Sequence, residues 1–263
     1  SLQVSSASPS CTLKESVISS SVLDGYADKL LMIHVNQQDF HGETLPFSFR
    51  ISGVDDIFDF KLRANPALKV PFCKTSPLID GKIDDLEWKD AVSIPIRPSS
   101  DNVSEKDCSA SVKAACDKEN FYLVVSIKDN IIERGADGSL YDKDSIELFF
   151  DGKVLSNLDQ ARLDDSPLQL IFAPESGTLS SALSCKNQEV RKSVKWKIRK
   201  TQDSYTLEMM LPLKSLGISA DSSGFGFDII INDADGKDKK HYLRWSGDAQ
   251  NWNNRFNFGY LGF

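Results

Sequence analysis

The fold is decided by the stretch Tyr141-Asp-Lys-Asp-Ser-Ile-Glu-Leu-Phe-Phe-Asp151. Its second half has an apolar residue at every second position. Neighbouring side chains of an extended strand point to opposite faces of a sheet, so residues two apart share a face. The alternation predicts a strand with a core-facing set of Ile146, Leu148 and Phe150 and an opposite set of Ser145, Glu147 and Phe149.

The same two-residue period recurs in five further segments beyond residue 100, namely 121–128, 168–172, 194–199, 206–211 and 225–232. No segment between them has a sustained helical spacing, and Pro212-Leu-Lys-Ser-Leu216 is predicted to form one helical turn at most. Many short strands separated by turns, without intervening helices, are typical of an antiparallel β-sandwich rather than an α/β fold. We therefore predict an all-β, antiparallel β-sandwich.

The first 70 residues have a different pattern. Residues 1–16 are rich in serine and lack periodicity, and we interpret them as a poorly ordered or loosely docked lead-in. Segments 30–35, 46–51 and 57–62 are strand-like and predict a small antiparallel β-meander whose phenylalanine-rich face packs against protein. Asn65-Pro66 and Pro71 mark the boundary between this meander and the sandwich. The predicted domains are an N-terminal extension over 1–70 and the sandwich over 71–263.

Composition excludes some partners. The chain has 263 residues, 40% of them hydrophobic, with a net charge of −7 and a pI near 5.1. Nucleic acid is a poor partner for such a chain, because phosphate binding needs a concentrated basic face. No apolar run approaches the ~20 residues of a membrane span. Residues 1–20 are too polar for a signal peptide, so we expect the signal of an exported protein to lie outside this sequence.

The five cysteines lie at positions 11, 73, 108, 116 and 185, with no CxxC spacing. A structural zinc site is therefore not predicted. Two disulfides with one free thiol and five buried thiols both remain open, so cysteine usage leaves the compartment undecided.

Four blocks, in this order along the chain, resemble carbohydrate-binding modules of family 9, a β-sandwich family within the wider DOMON-like group. The blocks are Pro77-Leu-Ile-Asp-Gly-Lys-Ile-Asp-Asp-Leu-Glu-Trp88, 120–129 together with 141–151, 226–233, and Trp252 followed by Phe258-Gly259. The resemblance covers about residues 75–263.

What the resemblance implies is a non-catalytic module that binds the end of a polysaccharide or oligosaccharide chain. It also implies a larger secreted, periplasmic or cell-surface protein, with a catalytic domain linked to the module, and structural calcium. These are expectations for this chain.

The tryptophans differ in their surroundings. Trp196 shares a strand face with apolar residues and Trp88 lies in the opening block, so both are predicted to pack in the core. For Trp245 the sequence does not decide between a core position and an exposed one. Trp252 is surrounded by asparagines and Arg255 and has no apolar partner at strand or helix spacing, so we predict that it is exposed and available to stack on a ligand.

The resemblance also implies a site. In sugar-binding members two aromatic residues clamp one sugar, and their positions match Tyr141 and Trp252 here, with Tyr141 where a tryptophan is usual. A carboxylate on the next strand matches Glu147. Gln169 stands at the family's arginine position, and Ile230 stands at its amide position, where its side chain cannot hydrogen-bond. These departures predict weaker binding of the family's usual sugar.

Alternation independently places Glu147 on the outer face of its strand. Phe149 and Ile171 share that outer face and make it more apolar than a sugar-binding cleft should be. Either the ligand is different or another segment covers part of the face, for which the N-terminal meander is one possibility.

Acidic residues admit two further interpretations. Asp144 and Glu147 are three apart, so on a strand they point to opposite faces and cannot flank one glycosidic bond; we predict that the chain is not an enzyme. Carboxylate clusters suit calcium, and the candidates are Asp159/Asp164/Asp165 and Asp233/Asp235/Asp238, for which solvated loops are the alternative.

The sequence leaves two other functions open. Ile230, the missing arginine and the extra N-terminal strands favour a structural or protein-interaction domain that has lost sugar binding. A haem-binding DOMON-like domain needs axial ligands such as Met209, Met210 or His241, although Met209 alternates with core residues.

Overall fold

The computed structural model describes residues 2–6, 17–18, 44–51, 57–63, 65–99, 104, 106–153, 167–218, 222–236 and 239–263. The chain divides into two compact units, Ser1–Pro66 and Ala67–Phe263. None of the helices in these described ranges is long and apolar enough to span a membrane.

The first unit contains a four-stranded antiparallel sheet in the order β2-β1-β3-β4. Its strands are β1 (Leu2–Ser6), β2 (Val17–Ile18), β3 (Thr44–Ile51) and β4 (Ile57–Arg63). The predicted hairpin of 46–51 and 57–62 is present, with Phe47 opposite Phe60 and Phe49 opposite Phe58.

Residues 2–6 of the predicted lead-in form β1, which pairs with β3 over five residues. A Ser-rich strand whose pairing comes from a distant segment has no apolar period of its own to reveal it. The predicted strand at 30–35 lies outside the described residues. So do the phenylalanine side chains of β3 and β4, and their predicted packing stays a prediction.

The second unit is a sandwich of two sheets. Among the described residues the larger sheet has eight strands, with β12-β11-β10-β15-β16-β7 in order and β17 and β5 continuing from β15. All its pairings are antiparallel except β17 with β5. Its strands are β5 (Ala67–Lys69), β7 (Arg97–Pro98), β10 (Ser145–Asp151), β11 (Leu168–Ala173), β12 (Ala182–Ser184), β15 (Gly224–Asp235), β16 (Lys239–Arg244) and β17 (Gly259–Gly262).

The smaller sheet is antiparallel, in the order β13-β14-β9-β8-β6. Its strands are β6 (Val92–Ile94), β8 (Cys108–Cys116), β9 (Asn120–Asp129), β13 (Lys195–Lys200) and β14 (Ser204–Pro212). One short α-helix, α1 (Gln188–Ser193), was not predicted, and the side chain of Asn187 caps it. The single turn predicted at 212–216 is a 3₁₀ helix over Leu213–Leu216.

The core lies between the two sheets and contains the inward-facing residues of every long strand. Phe121 of the smaller sheet packs edge-on against Phe150 and Phe225 of the larger sheet, with ring centroids 5.9 and 5.3 Å apart. Burying each such ring is worth roughly 1.5–3 kcal/mol, so this contact stabilises the stacking of the two sheets.

Inward-facing residues of the predicted strands are fully inaccessible to solvent, among them Leu123, Ile146, Leu148, Phe150, Phe227 and Ile229. Trp196, which the sequence also predicts to pack in the core, is only half-buried. It lies on β13, an edge strand, where its ring contacts Phe172 at 5.5 Å and one side stays open. Strand position, which alternation does not report, explains the difference.

The opening block is held by one buried carboxylate on the outer face of the smaller sheet. Glu208 accepts hydrogen bonds from Trp88 Nε1 at 2.9 Å and from the backbone N–H groups of Asp80 and Gly81 at 2.9 and 2.7 Å. Gly81 has φ 85°, and a Cβ there would lie 2.6 Å from Arg199 Cγ, so the turn requires glycine. Burial raises the pKa of Glu208. The spacing of Asp80-Gly81 and Trp88 therefore reflects three donors that converge on one acceptor.

Candidate functional site

A cleft of about 760 Å³ opens on the outer face of the larger sheet. Tyr141, Glu147, Gln169 and Trp252, the four site residues that the sequence predicts, all line it. They come from three separate parts of the chain, since Tyr141 and Glu147 share one stretch, and the fold brings these parts together. Their role in binding is not tested by their position and stays a prediction.

Glu147 lies at the centre of a hydrogen-bond network in the cleft. Gln169 Nε2 donates to its Oε2 at 2.8 Å, and Asn232 Nδ2 donates to its Oε1 at 2.7 Å. Asn232 Nδ2 also donates to Ser145 Oγ at 3.0 Å. Bonds to a charged acceptor are the stronger kind, so the carboxylate is held in one orientation. Each of its oxygens still has a lone pair for a ligand hydroxyl.

Asn232 is a site residue that the sequence analysis missed. It lies two residues beyond Ile230 on the outer face of β15 and is opposite Ser145, whereas Ile230 is opposite Glu147. The alternation that places Ile230 on this face places Asn232 there as well, and that signal could have identified it. The amide expected at 230 is thus absent, while an amide two positions away contacts the same carboxylate.

The remainder of the cleft floor is apolar and covered from the C-terminal side. Phe149, Ile230 and Phe258 form a buried cluster with Tyr242 packed against it, and the Phe149 and Phe258 rings are 5.8 Å apart. The apolar outer face is therefore covered in part by Phe258, six residues after Trp252. Another segment does cover the face, as one of the two predicted alternatives requires.

Two exposed aromatic residues lie on the rim. Tyr141 sits in a 3₁₀ turn over Leu140–Asp142 and is 44% exposed, and Trp252 sits in a 3₁₀ turn over Asn251–Asn253 and is 57% exposed. The exposure of Trp252 agrees with its polar sequence context. Trp245, which the sequence left ambiguous, is fully buried against Phe227.

The loop that carries Trp252 is anchored by Asp228, a fully buried carboxylate on the outer face of β15. Asp228 accepts from the backbone N–H groups of Ser246 and Gly247 and from Asn251 Nδ2, the last at 2.7 Å. A Cβ at Gly247 would lie 1.9 Å from Asn251 Oδ1, so only glycine fits here. Burial raises the pKa of Asp228 to about 6 against the opposing effect of these hydrogen bonds.

The sequence model of the family described as "Carbohydrate family 9 binding domain-like" matches residues 79–262. The chain belongs to this family.

Two curated relatives contain a similar segment. Endo-1,4-beta-xylanase A of Thermotoga neapolitana is 26% identical over 190 residues, which is 71% of this chain and 17% of that protein. Exoglucanase XynX of Acetivibrio thermocellus is 26% identical over 191 residues, 71% of this chain and 16% of that protein. The chain thus spans about a sixth of the length of these relatives.

Among solved structures, a family 9 carbohydrate-binding module from Caldicellulosiruptor kristjanssonii in complex with cellotriose aligns with a TM-score of 0.59. Identity is 20%, and the match covers 74% of this chain and 92% of that one. The same module in complex with glucose aligns equally well, at 21% identity. These likenesses show the fold, an antiparallel β-sandwich.

In this family 9 domain, Asp144, the residue before β10, and Glu147 on β10 lie on opposite sides of the larger sheet. Asp144 is fully buried on the inner side, whereas Glu147 lines the outer cleft. The separation follows from their odd spacing, and no bond in the cleft can be flanked by both.

Of the calcium candidates, Asp159, Asp164, Asp165 and Asp238 lie outside the described residues, so both predicted groupings stay predictions. Asp233 lies with Asp129 and Asp144, and carboxylate oxygens of the three are within 4.8 Å of one another. Burial, then neighbouring carboxylates, raise the pKa of Asp129 to about 7 and that of Asp144 to about 8. Strand register unites these residues, and no local sequence spacing encodes it.

The surroundings of the described cysteines and of Met209 are those of packing residues. Cys73, Cys108, Cys116 and Cys185 are free thiols, and Cys11 lies outside the described residues. Met209 is fully buried in the core between the sheets, opposite Trp196 in register. A gap-filling thioether accounts for that position.

Proposed function

We propose that the unit 67–263 is a non-catalytic module that binds the end of a β-1,4-linked glucan or a related polysaccharide in the cleft above Glu147. The observation that carries the proposal is the cleft itself, in which two exposed aromatic side chains rise beside an oriented carboxylate. Family membership and the cellotriose and glucose complexes of the similar module support the ligand class.

Tyr141 and Trp252 are the proposed plates of an aromatic clamp. The C–H face of a sugar ring packs on a flat aromatic surface, and burying one ring contributes roughly 1–3 kcal/mol. Both residues are about half exposed and line the same cleft, which leaves their faces available to a ligand. Two facing aromatic side chains suit a terminal sugar ring better than a ring in mid-chain. A ring in mid-chain is linked to a neighbouring sugar on both sides, so the chain would have to pass out of the space between the side chains in two directions.

Glu147, Gln169 and Asn232 are the proposed hydrogen-bonding groups. The carboxylate would accept from two sugar hydroxyls while the two amides keep it in place. Gln169 offers fewer donors than the arginine that the resemblance implies, and Ile230 offers none. We therefore expect affinity in the micromolar to millimolar range, about 4–8 kcal/mol.

The setting of the module is the final part of the proposal. The matched relatives are named as a xylanase and an exoglucanase, and this chain corresponds to a sixth of each. We propose that it is likewise part of a larger secreted or cell-surface protein with a linked catalytic domain, to which it adds affinity for the polysaccharide. Nucleic acid is no part of this setting, since the net charge of −7 disfavours phosphate binding.

Chain-end binding can be tested with one soluble β-1,4-glucan before and after partial hydrolysis. At equal mass concentration, hydrolysis multiplies the chain ends without changing the sugar. The proposal requires bound protein to rise in proportion to the number of ends. Binding that is unchanged by hydrolysis would indicate mid-chain recognition, and binding to no glycan on an array would favour the interaction-domain alternative.

A further inference from the structure

A second cavity, of about 490 Å³, lies beside the sugar cleft. Gly138, Leu140 and Ser184 line both spaces, so the cavity and the cleft adjoin. None of the side chains proposed above to bind sugar lines this cavity. A ligand whose end lies in the cleft can therefore extend into a space with different chemistry.

The chain around the cavity is basic, in contrast to the whole protein. Residues 186–200 contain seven lysines and arginines and one glutamate, whereas the net charge of the chain is −7. This stretch includes α1 and β13, and it contributes Arg191 and Trp196 to the cavity wall. Arg134 of the same wall comes from the loop that carries Tyr141. A local positive region on an acidic protein attracts anionic ligands.

Arg191 is the accessible cation of the cavity. It lies in the last turn of α1 and is exposed. Among the residues that the structure describes, it forms no ion pair, whereas its neighbour Lys192 pairs with Glu189 at 3.1 Å. Burial raises the pKa of the Cys185 thiol in the cleft and Arg191 opposes this rise, which places the guanidinium near the border between the two spaces. Its donors are thus available to an anionic group of a ligand.

Arg134 adds a second positive charge from a covered position. Its side chain is only 4% exposed, and its Nη2 donates to Asp137 Oδ1 at 2.5 Å. Asp137 also lines the cavity but is 84% exposed. Because little water screens a buried charge, Arg134 should strengthen the binding of an anion in the cavity. The carboxylate of Asp137 should oppose it, since it competes for the same guanidinium.

Trp196 gives the cavity a flat apolar surface. Its ring contacts Phe172 at a centroid distance of 5.5 Å, and the residue is partly exposed. The C–H face of a sugar ring packs on such a surface. Ser180, Ser181 and Ser184 line the cavity as well, and each hydroxyl can donate or accept a hydrogen bond. A cation, an aromatic ring and hydroxyls together suit an anionic group that is carried on a sugar ring, since a small free anion would leave the aromatic surface unused.

We propose that this cavity binds a uronic acid, a sugar with a carboxylate, belonging to the polysaccharide whose end occupies the cleft. Arg191 pairs with the carboxylate through the two parallel hydrogen bonds that guanidinium and carboxylate groups form, while the sugar ring packs on Trp196. The inference rests on the proposed sugar binding and adds a substrate class to it, the acidic polysaccharides.

The test compares two forms of one oligosaccharide by isothermal titration calorimetry. One form is a β-1,4-linked xylo-oligosaccharide that carries a glucuronic acid, and the other is the same compound after reduction of its carboxyl group to an alcohol. The wild-type chain should bind the acid form about tenfold more tightly at low salt, because a charge-assisted pair is added. The preference should shrink as NaCl is added, since salt screens exposed charges.

Single substitutions assign the preference to this cavity. R191Q should abolish it, whereas D137N should increase it by removing the carboxylate that competes for Arg134. K192Q is the matched control, because Lys192 is the next cation on α1 but does not line the cavity, and it should keep the wild-type preference. Arg191 and Lys192 are both exposed, so neither substitution should disturb folding.

Equal affinity of the wild-type chain for the two forms would overturn this inference and leave the sugar-binding proposal intact. A preference that survives in R191Q would also overturn it, because the carboxylate would then bind elsewhere. Tighter binding of a sulfated xylo-oligosaccharide than of the acid form would overturn the choice of a carboxylate. If the chain binds neither form, both proposals fail.

Discussion

Asn232 Nδ2 donates a hydrogen bond to Glu147 Oε1 at 2.7 Å, across the pair of strands that forms the middle of the cleft floor. With Gln169 on the other side, the amide holds the carboxylate between two neighbouring strands. The candidate site is therefore a property of three paired strands and not of any one motif.

Replacing Asn232 with alanine should weaken cellotriose binding by about tenfold, or ~1.4 kcal/mol, because Glu147 loses the donor that orients it. Isothermal titration calorimetry measures this directly. Gln202→Ala, an exposed amide in a turn away from the cleft, is the control and should bind like wild type. An Asn232→Ala variant with unchanged affinity would show that Glu147 needs no such support.

Trp252→Ala should abolish measurable cellotriose binding while changing the free energy of unfolding by less than about 1 kcal/mol, because a 57% exposed ring supports little packing. Phe256→Ala removes another exposed ring of the same loop that does not line the cleft, and it should bind normally. Trp245→Ala, at a fully buried ring, should lose about 3–5 kcal/mol of stability. If Trp252→Ala behaves like Trp245→Ala in urea unfolding, Trp252 is a packing residue.

Trp88→Phe should lower the free energy of unfolding by about 1–3 kcal/mol, because it keeps a ring but removes the Nε1–H donor to buried Glu208. Urea unfolding followed by circular dichroism gives the value. Trp196→Phe, at a half-buried ring on an edge strand, should cost less. Equal losses in the two variants would mean that ring size, and not the hydrogen bond, matters at Trp88.

Asp228 should make the second unit more stable as the pH falls. Its folded-state pKa is about 6, above the ordinary value of 3.8, so between these values the folded protein binds the proton more tightly than the unfolded chain does. Relative to Asp228→Asn, wild type should gain up to about 3 kcal/mol between pH 7 and pH 4. Urea unfolding at four pH values, read by tryptophan fluorescence, measures the difference. A gain in the opposite direction would mean that the hydrogen bonds to the loop outweigh burial.

Alternation was enough to predict which side of each strand faces the core. Ile146, Leu148 and Phe150 are inside and Glu147 is outside, since a period of two carries that information along a single strand. The sandwich follows from the same pattern repeated. The prediction that Tyr141 and Trp252 form an aromatic clamp came from the family resemblance. Nothing in the local sequence requires two loops 111 residues apart to meet.

What the sequence could not predict depends on register between strands. Asn232 hydrogen-bonds Glu147 diagonally across the β10–β15 pair, in which Ile230 is directly opposite Glu147. Asp129 meets Asp144 and Asp233 only when two sheets stack. The partial exposure of Trp196 likewise depends on β13 being an edge strand. Short elements such as β1 and α1 lack enough residues to display a period.

The central claim is that Tyr141 and Trp252 hold one terminal sugar ring between them, above Glu147. A crystal structure of the chain with cellotriose tests it most directly. We predict the terminal glucose ring between the two aromatic faces, which should be roughly 7–8 Å apart, twice the ~3.5–4.0 Å of a carbon–carbon contact, with Glu147 accepting from its hydroxyls. Cellotriose bound elsewhere on the protein, or a cleft in which the two rings lie against each other and exclude the sugar, would contradict the account.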